Sequence, residues 1–154
     1  MKLVLAFNAS PRKTGNTSHL LDRFMGGAES GGAETEVIRP DEIDLEFCTG
    51  CLRCNVLKRC SISGDSWSDL AEKILQADIL VVAAPVYFHH LPAAMKKVID
   101  RFRSFIHVQI TETGLQHTPW QTWRKDFDMI LTMSSPEPSG AAPVVHQSQC
   151  QTSQ

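Results

Sequence analysis

The run ILVVAA at residues 79–84 restricts the possible folds of this chain more than any other stretch. A strand with one wetted face alternates apolar and polar residues, whereas an unbroken apolar run indicates a strand that is covered on both faces. The run LVLAF at residues 3–7 has the same character. Both runs therefore predict central strands of a parallel sheet that has helices packed on each side.

The remaining predicted elements alternate between helix and strand, as such a sheet requires. After a first strand at residues 2–7, the pattern predicts a helix at 17–26 ended by glycines, a strand at 35–39, a helix at 67–76 with Ser66 as its N-cap, a strand at 79–84, a helix from Pro92 and a strand at 128–133. This order predicts a doubly wound α/β fold with three layers.

Two stretches lack a sustained period, residues 41–65 and residues 104–125. A chain of 154 residues suits one domain, which we place at residues 1–145. The Gln/Ser-rich residues 146–154 are predicted to be a disordered tail.

The loop NASPRKTGNT at residues 8–17 lies between the first strand and the first helix. Ligands of doubly wound sheets bind at the carboxyl ends of the strands, where helix N-termini attract anions. The loop is neither a Walker A sequence nor a dinucleotide fingerprint, because it lacks the glycine spacing of both. Loops at residues 85–91 and 134–140 are expected at the same edge. Together they predict a phosphorylated ligand whose flat apolar part lies on Val86, Tyr87 and Phe88.

Four of the five cysteines lie in residues 48–60, namely Cys48, Cys51, Cys54 and Cys60. Four thiolates on one loop can bind a tetrahedral zinc ion or a [4Fe–4S] cluster, and the repeated two-residue spacing favours the cluster. Free or redox-active thiols without a metal are the third interpretation. Cys150 stands apart from this group. No Ser/His/Asp set or carboxylate pair is evident, so we assign no catalytic side chain.

Charge and hydropathy exclude several classes of partner. The net charge of −2 gives no electrostatic reason to expect nucleic acid or a membrane surface. No apolar run has the length of a membrane span, and the first residues lack the apolar region of a signal peptide. We therefore expect a cytoplasmic protein.

Three motifs in the same order resemble those of the NADPH-dependent FMN reductase family. They are NASPR with GNT at residues 8–17, APVYF at 84–88 and MKKVIDRF at 95–102, and the cysteine spacing is similar to that of the iron–sulfur flavoprotein branch. The resemblance implies a flavodoxin-like fold with strand order 2-1-3-4-5 and bound FMN. Such folds continue with a last strand and helix, which we expect this chain to lack.

The resemblance also implies roles for particular residues. The FMN phosphate would be held by Ser10, Arg12, Asn16 and Thr17, and the isoalloxazine would be lined by Pro85, Val86, Tyr87 and Phe88. Its other side would be closed by Ser134, Ser135 and Gly140, and a [4Fe–4S] cluster would be ligated by Cys48, Cys51, Cys54 and Cys60. Related proteins are usually dimers or tetramers, so a homodimer or homotetramer is expected.

The resulting hypothesis is an FMN-dependent oxidoreductase that transfers electrons through FMN and a cluster, with NAD(P)H as a donor. Two alternatives remain open at this point. One is a non-enzymatic electron carrier similar in role to a flavodoxin or ferredoxin, and the other is a zinc-stapled binding domain without flavin.

Overall fold

The computed structural model describes residues 1–120 and 125–133. Within them, strands and helices alternate as predicted, and a β-hairpin precedes the last strand. The strands are β1 (Leu3–Asn8), β2 (Glu34–Ile38), β3 (Ile79–Pro85), β4 (Ile106–Thr111), β5 (Gly114–Pro119) and β6 (Asp126–Thr132). The helices are α1 (Asn16–Ser30), α2 (Cys54–Leu57), α3 (Trp67–Gln76) and α4 (Ala93–Arg101), and a 3-10 turn follows α4 (Phe102–Phe105).

Among the described residues, four strands form one parallel sheet in the order β2-β1-β3-β6. This order corresponds to the first four positions of the flavodoxin-like arrangement, so the predicted fold class is confirmed. Strands β4 and β5 pair with each other in a separate antiparallel sheet. Because every strand of the main sheet is parallel, all of its loops to following helices leave from the same edge.

The two apolar runs divide their side chains between the faces of the sheet. On β3, Leu80 and Val82 join the core formed with α3 and α4, whereas Val81 and Ala83 join the core beneath α1. Strand β1 divides in the same way. The period-two geometry of a strand thus places successive residues in two different cores, which explains why neither run contains a polar residue.

Helix α1 is longer than predicted, and its end was placed wrongly. Gly26 and Gly27 lie inside the helix, where a Cβ on either would have no neighbour within 4 Å. The helix ends before Gly32, whose φ of +83° requires the left-handed conformation that favours glycine. The packing of Leu21 and Met25 on the sheet therefore outweighs the low helix propensity of the two glycines.

Two further predictions are corrected. Ser66 occupies the N-cap position of α3 as predicted, but its side chain makes no capping hydrogen bond; instead Asp65 Oδ1 accepts the Trp67 backbone N–H at 3.1 Å. Residues 104–125 contain the β4–β5 hairpin rather than irregular chain. Because β5 is exposed along its whole length, it carries no apolar alternation that would reveal a strand. None of the helices in residues 1–120 is both long and apolar enough to cross a bilayer.

Candidate functional site

The loop between β1 and α1 is held in shape by its own side chains. Asn8 Oδ1 accepts the Ser10 N–H at 3.2 Å, and Asn8 Nδ2 donates to Ser18 Oγ at 3.0 Å. Ser10 Oγ accepts the Arg12 N–H at 3.2 Å, and Ser18 Oγ donates to the Arg12 carbonyl at 3.1 Å. Short polar side chains that bind nearby backbone groups fix tight turns in this way. These hydrogen bonds therefore define the conformation of the loop.

The N-terminus of α1 opens onto this loop without a side-chain cap. Gly15 occupies the N-cap position, and a Cβ there would lie 3.2 Å from Arg12 Cβ, closer than ordinary contact. The first N–H groups of a helix lack acceptors within the helix, and its dipole favours negative charge at this end. Arg12 and Asn16 are exposed beside it, whereas Ser10 and Thr17 are buried. The loop has the features of an anion site.

Thr132, at the end of β6, connects this loop to the next one. Its hydroxyl lies 2.7 Å from Thr17 Oγ1, and its carbonyl accepts the Val86 N–H at 2.9 Å. The Ala9 N–H donates to the Ala83 carbonyl at 2.8 Å. The structure thus brings two of the three predicted loops together at the carboxyl edge. The third, with Ser134, Ser135 and Gly140, lies outside the described residues.

The second loop ends in a strained turn that presents aromatic rings. Tyr87 and His90 exchange both backbone hydrogen bonds, each 2.9 Å long. Phe88 and His89 between them have φ values of 51° and 61°, which are costly for residues with a Cβ. The Phe88 side chain is fully exposed, and Tyr87 is half exposed. Strain of this kind is concentrated at ligand sites, and the exposed rings offer a flat apolar surface.

The four cysteines of residues 48–60 are free thiols that line one cavity of about 20 Å³. Cys54 is buried on the single turn α2, Cys48 and Cys60 are half-buried, and Cys51 is exposed. Leu52 and Lys58 adopt left-handed backbone conformations, which curl the chain around the cavity. Arg101 and Arg103 also line it and place positive charge beside the sulfurs.

The surroundings of Cys51 favour the thiolate form of its side chain. The Ser61 hydroxyl, 3.4 Å from Cys51 Sγ, and the backbone N–H of Arg53 lower the pKa of this thiol to about 7. A large fraction is therefore thiolate at neutral pH, and the thiolate is the species that binds metals.

Arg103 holds Cys54 against the hairpin. Its Nη1 lies 3.6 Å from Cys54 Sγ and donates to the Ile106 carbonyl at 2.6 Å, and its Nη2 donates to Asn55 Oδ1 at 2.9 Å. Asn55 in turn bonds both backbone groups of Val108. One guanidinium thus connects α2 to β4, so that Cys54 is the most firmly placed of the four thiols.

A buried ion pair anchors the rest of the cysteine loop. Arg101 Nη1 lies 2.6 Å from Asp65 Oδ2, and the two side chains are 0% and 3% exposed. Arg101 Nη1 also donates to the Glu46 carbonyl at 2.7 Å, and its guanidinium lies over the Trp67 ring. Burial alone would raise the pKa of Asp65, but the Arg101 bonds and the N–H groups of Glu46 and Trp67 outweigh it and lower this pKa.

The four cysteines have the right chemistry for an iron–sulfur cluster, although their sulfurs are not arranged around a common metal position. Four cysteines lining one cavity have the ligand type of an all-thiolate iron–sulfur site, and Arg103 beside them carries a positive charge, whereas the charge of Arg101 is already paired with Asp65. Within residues 1–120 and 125–133, however, no three His, Cys, Asp or Glu side chains are arranged as a metal site. Cluster binding would therefore require the loop to move its more exposed sulfurs toward Cys54.

Sequence reasoning missed several residues that shape the site, namely Arg39, Asp65, Arg101, Arg103 and Thr132. Arg101 carries a signal that could have been used, because it lies beside the apolar stripe of α4, and a charged side chain that is buried there requires a partner. Thr132 gives no such signal, since its contacts are made with residues distant along the chain.

The sheet order and the polar loops at its carboxyl edge define a flavodoxin-like protein. The chain belongs to the NADPH-dependent FMN reductase family, whose sequence profile matches residues 1–147. It is 34% identical over 98 residues to an iron-sulfur flavoprotein of Archaeoglobus fulgidus, a match that covers 64% of this chain and 44% of the relative. The chain spans about half the length of the curated relatives it matches.

Solved structures agree with this assignment. RosB, crystallised with 8-demethyl-8-formylriboflavin-5'-phosphate, is 28% identical with a TM-score of 0.52, over 66% of this chain and 42% of RosB. An NAD(P)H:quinone oxidoreductase from Methanothermobacter marburgensis is 18% identical with a TM-score of 0.63, over 89% of this chain and 68% of that protein. At that identity, the second likeness bears on the fold alone.

Proposed function

We propose that this chain is the flavin-binding part of an FMN-dependent oxidoreductase that passes electrons through FMN and a [4Fe–4S] cluster. The observation that carries the proposal is the junction at Thr132, where two loops meet at one edge of the sheet. They are the anion-type loop of residues 8–17 and the strained aromatic loop of residues 85–91. The cysteine loop leaves from the end of β2 at this same edge. The family and the flavin compound in RosB support the same assignment.

The FMN phosphate is assigned to the loop at residues 8–17. Arg12 offers a forked cation, Asn16 an exposed amide, and the first turn of α1 its backbone N–H groups. The buried hydroxyls of Ser10 and Thr17 shape the loop from beneath, through their bonds to Arg12 and Thr132. The role of these residues is to bind the FMN phosphate and to orient the cofactor.

The isoalloxazine is assigned to residues 85–88. Pro85 and Val86 are half-buried at the end of β3, while the Tyr87 and Phe88 rings are exposed beyond them. Ser134, Ser135 and Gly140 are proposed to close the opposite side. When bound, FMN supplies one- and two-electron chemistry, whereas these residues orient the ring and exclude water from one face.

The cysteine loop is proposed to hold the cluster through Cys48, Cys51, Cys54 and Cys60. Arg103 fixes Cys54, and the Arg101–Asp65 pair fixes both ends of the loop. Iron–sulfur flavoprotein is the description of the Archaeoglobus fulgidus relative, which supports a cluster in place of zinc.

A homo-oligomer is part of the proposal. Phe47, just before the cysteine loop, and Leu52 and Val56 within it are 70%, 57% and 83% exposed, and exposed apolar side chains of this kind are suited to contact with a second copy. Light scattering on the purified chain is expected to give the mass of a dimer or tetramer. A monomer at micromolar concentration would contradict this part of the proposal.

Steady-state kinetics tests whether the protein is an enzyme. We expect the FMN-loaded protein to oxidise NADPH under anaerobic conditions in the presence of a quinone or free FMN as acceptor. A carrier would show no turnover with NADPH or NADH but would be reduced rapidly by ferredoxin. That result would contradict the reductase function while leaving the flavin assignment intact.

A further inference from the structure

Arg39 lies directly after β2 and contacts the anion-type loop from outside. Its Nη2 donates to the Ser10 backbone carbonyl at 2.7 Å. The Arg39 side chain is only 15% exposed, so this contact is largely shielded from water. None of the sequence motifs includes this residue.

Carboxylates cancel the charge of Arg39. Asp41 Oδ2 lies 3.2 Å from its Nη2 and Glu42 Oε1 lies 3.1 Å from its Nε, while Glu42 also pairs with Lys13 Nζ at 2.6 Å. Two cations and two carboxylates leave this group of four with no net charge. Arg39 therefore adds little long-range attraction for an anion, and its effect on the loop must come from the contact it makes.

That contact fixes the direction of one peptide dipole. The Ser10 N–H and Oγ are engaged by Asn8 and Arg12, which leaves the Ser10 carbonyl as the free acceptor of this residue within the loop. Hydrogen-bonded to Arg39, this carbonyl keeps its negative end toward β2. A carbonyl turned into the loop would set a partial negative charge against a bound phosphate.

We propose that Arg39 is a positioning residue for the FMN phosphate, which it serves by holding the Ser10 carbonyl away from the anion. The proposal rests on the proposed FMN site. It assigns Arg39 no contact with the cofactor. The fork matters to this role, because Nη2 contacts the Ser10 carbonyl and Asp41 while Nε contacts Glu42, and a lysine ammonium has only one nitrogen to place.

Flavin titrations of FMN-free protein test the proposal. Arg39→Met is expected to weaken FMN about tenfold or more, as the loss of a charge-assisted hydrogen bond suggests. Riboflavin, which lacks the phosphate, should bind within about twofold of the wild type. Arg39→Lys should resemble Arg39→Met, and the exposed Arg23→Met on α1 is the matched control that should leave both flavins unaffected.

Three outcomes of these titrations would overturn the positioning role. They are unchanged FMN affinity in Arg39→Met, equal loss of FMN and riboflavin, and full recovery of FMN binding in Arg39→Lys, which would show that charge alone matters. Should Arg39→Met fail to fold, the lysine variant provides the same comparison.

Amide hydrogen exchange on the FMN-free protein separates this proposal from the flavin assignment. In Arg39→Met, residues 9–15 should exchange faster while β1 stays protected. Unchanged exchange there would overturn the positioning role even if FMN does not bind. A wild-type protein that binds no FMN would instead contradict the proposed function.

Discussion

Replacing Asp65 with alanine should lower the free energy of unfolding by about 3–5 kcal/mol, the usual cost of leaving one member of a buried ion pair alone. Arg101 and Asp65 are almost fully buried, so water cannot replace the lost partner. Arg101 Nε is already buried without a hydrogen-bond partner in the described residues, so the variant would leave further N–H groups of the same guanidinium without an acceptor. Asp65 also accepts the backbone N–H groups of Glu46 and Trp67, which would lose their acceptor.

The pH dependence of stability provides a second test of the prediction for Asp65→Ala. The pKa of Asp65 is lower in the folded state than in the unfolded state. Its contribution to the free energy of unfolding is therefore fully present above about pH 4 and is lost as the pH falls through its pKa in the folded state. The free energies of unfolding of the wild type and of Asp65→Ala should therefore differ less in acid than at neutral pH.

Urea denaturation at pH 7 and at pH 3 measures both effects. The exposed Asp22→Ala on α1 is the matched control and should change stability by less than about 0.5 kcal/mol. A loss below about 1 kcal/mol for Asp65→Ala would show that the pair does not anchor the cysteine loop in the way described.

Replacing Cys54 with serine should remove the iron from the protein. With a [4Fe–4S] cluster, the wild type purified without oxygen should contain about four irons per chain, and the variant close to none. Cys54 is the thiol held by Arg103 and α2, so its loss removes the ligand around which the other three would gather. Iron and acid-labile sulfide are measured directly, together with the visible spectrum.

Cys150→Ser provides the matched control, because Cys150 lies outside residues 48–60. It should retain the iron of the wild type. Full iron content in Cys54→Ser would exclude Cys54 as a ligand. One zinc per chain without sulfide in the wild type would support the zinc-stapled domain, and absence of both metals would support free thiols.

Local patterns predicted the sheet and the loops at residues 8–17 and 85–91 because their causes are local. An unbroken apolar run reflects two covered faces, and the polar residues 8–17 lie where a strand ends and a helix begins. The β4–β5 hairpin was missed for the opposite reason, since an exposed strand has no apolar periodicity.

The contacts that assemble the site could not be predicted in this way. Thr17 and Thr132 are 115 residues apart, Arg101 and Asp65 are 36 apart, and Arg39 and Ser10 are 29 apart. Each pair meets because the fold places distant segments of the chain side by side. A single sequence shows which side chains are polar, but the fold decides which of them meet.

Hydrogen–deuterium exchange with and without FMN shows whether FMN lies across the junction between the two loops. Bound FMN should slow amide exchange both in residues 9–17 and in residues 86–90, while the hairpin of residues 106–119 remains unchanged. Protection of both loops would place FMN across the junction at Thr132. Absence of FMN binding, or protection that leaves residues 9–17 unaffected, would contradict the assignment.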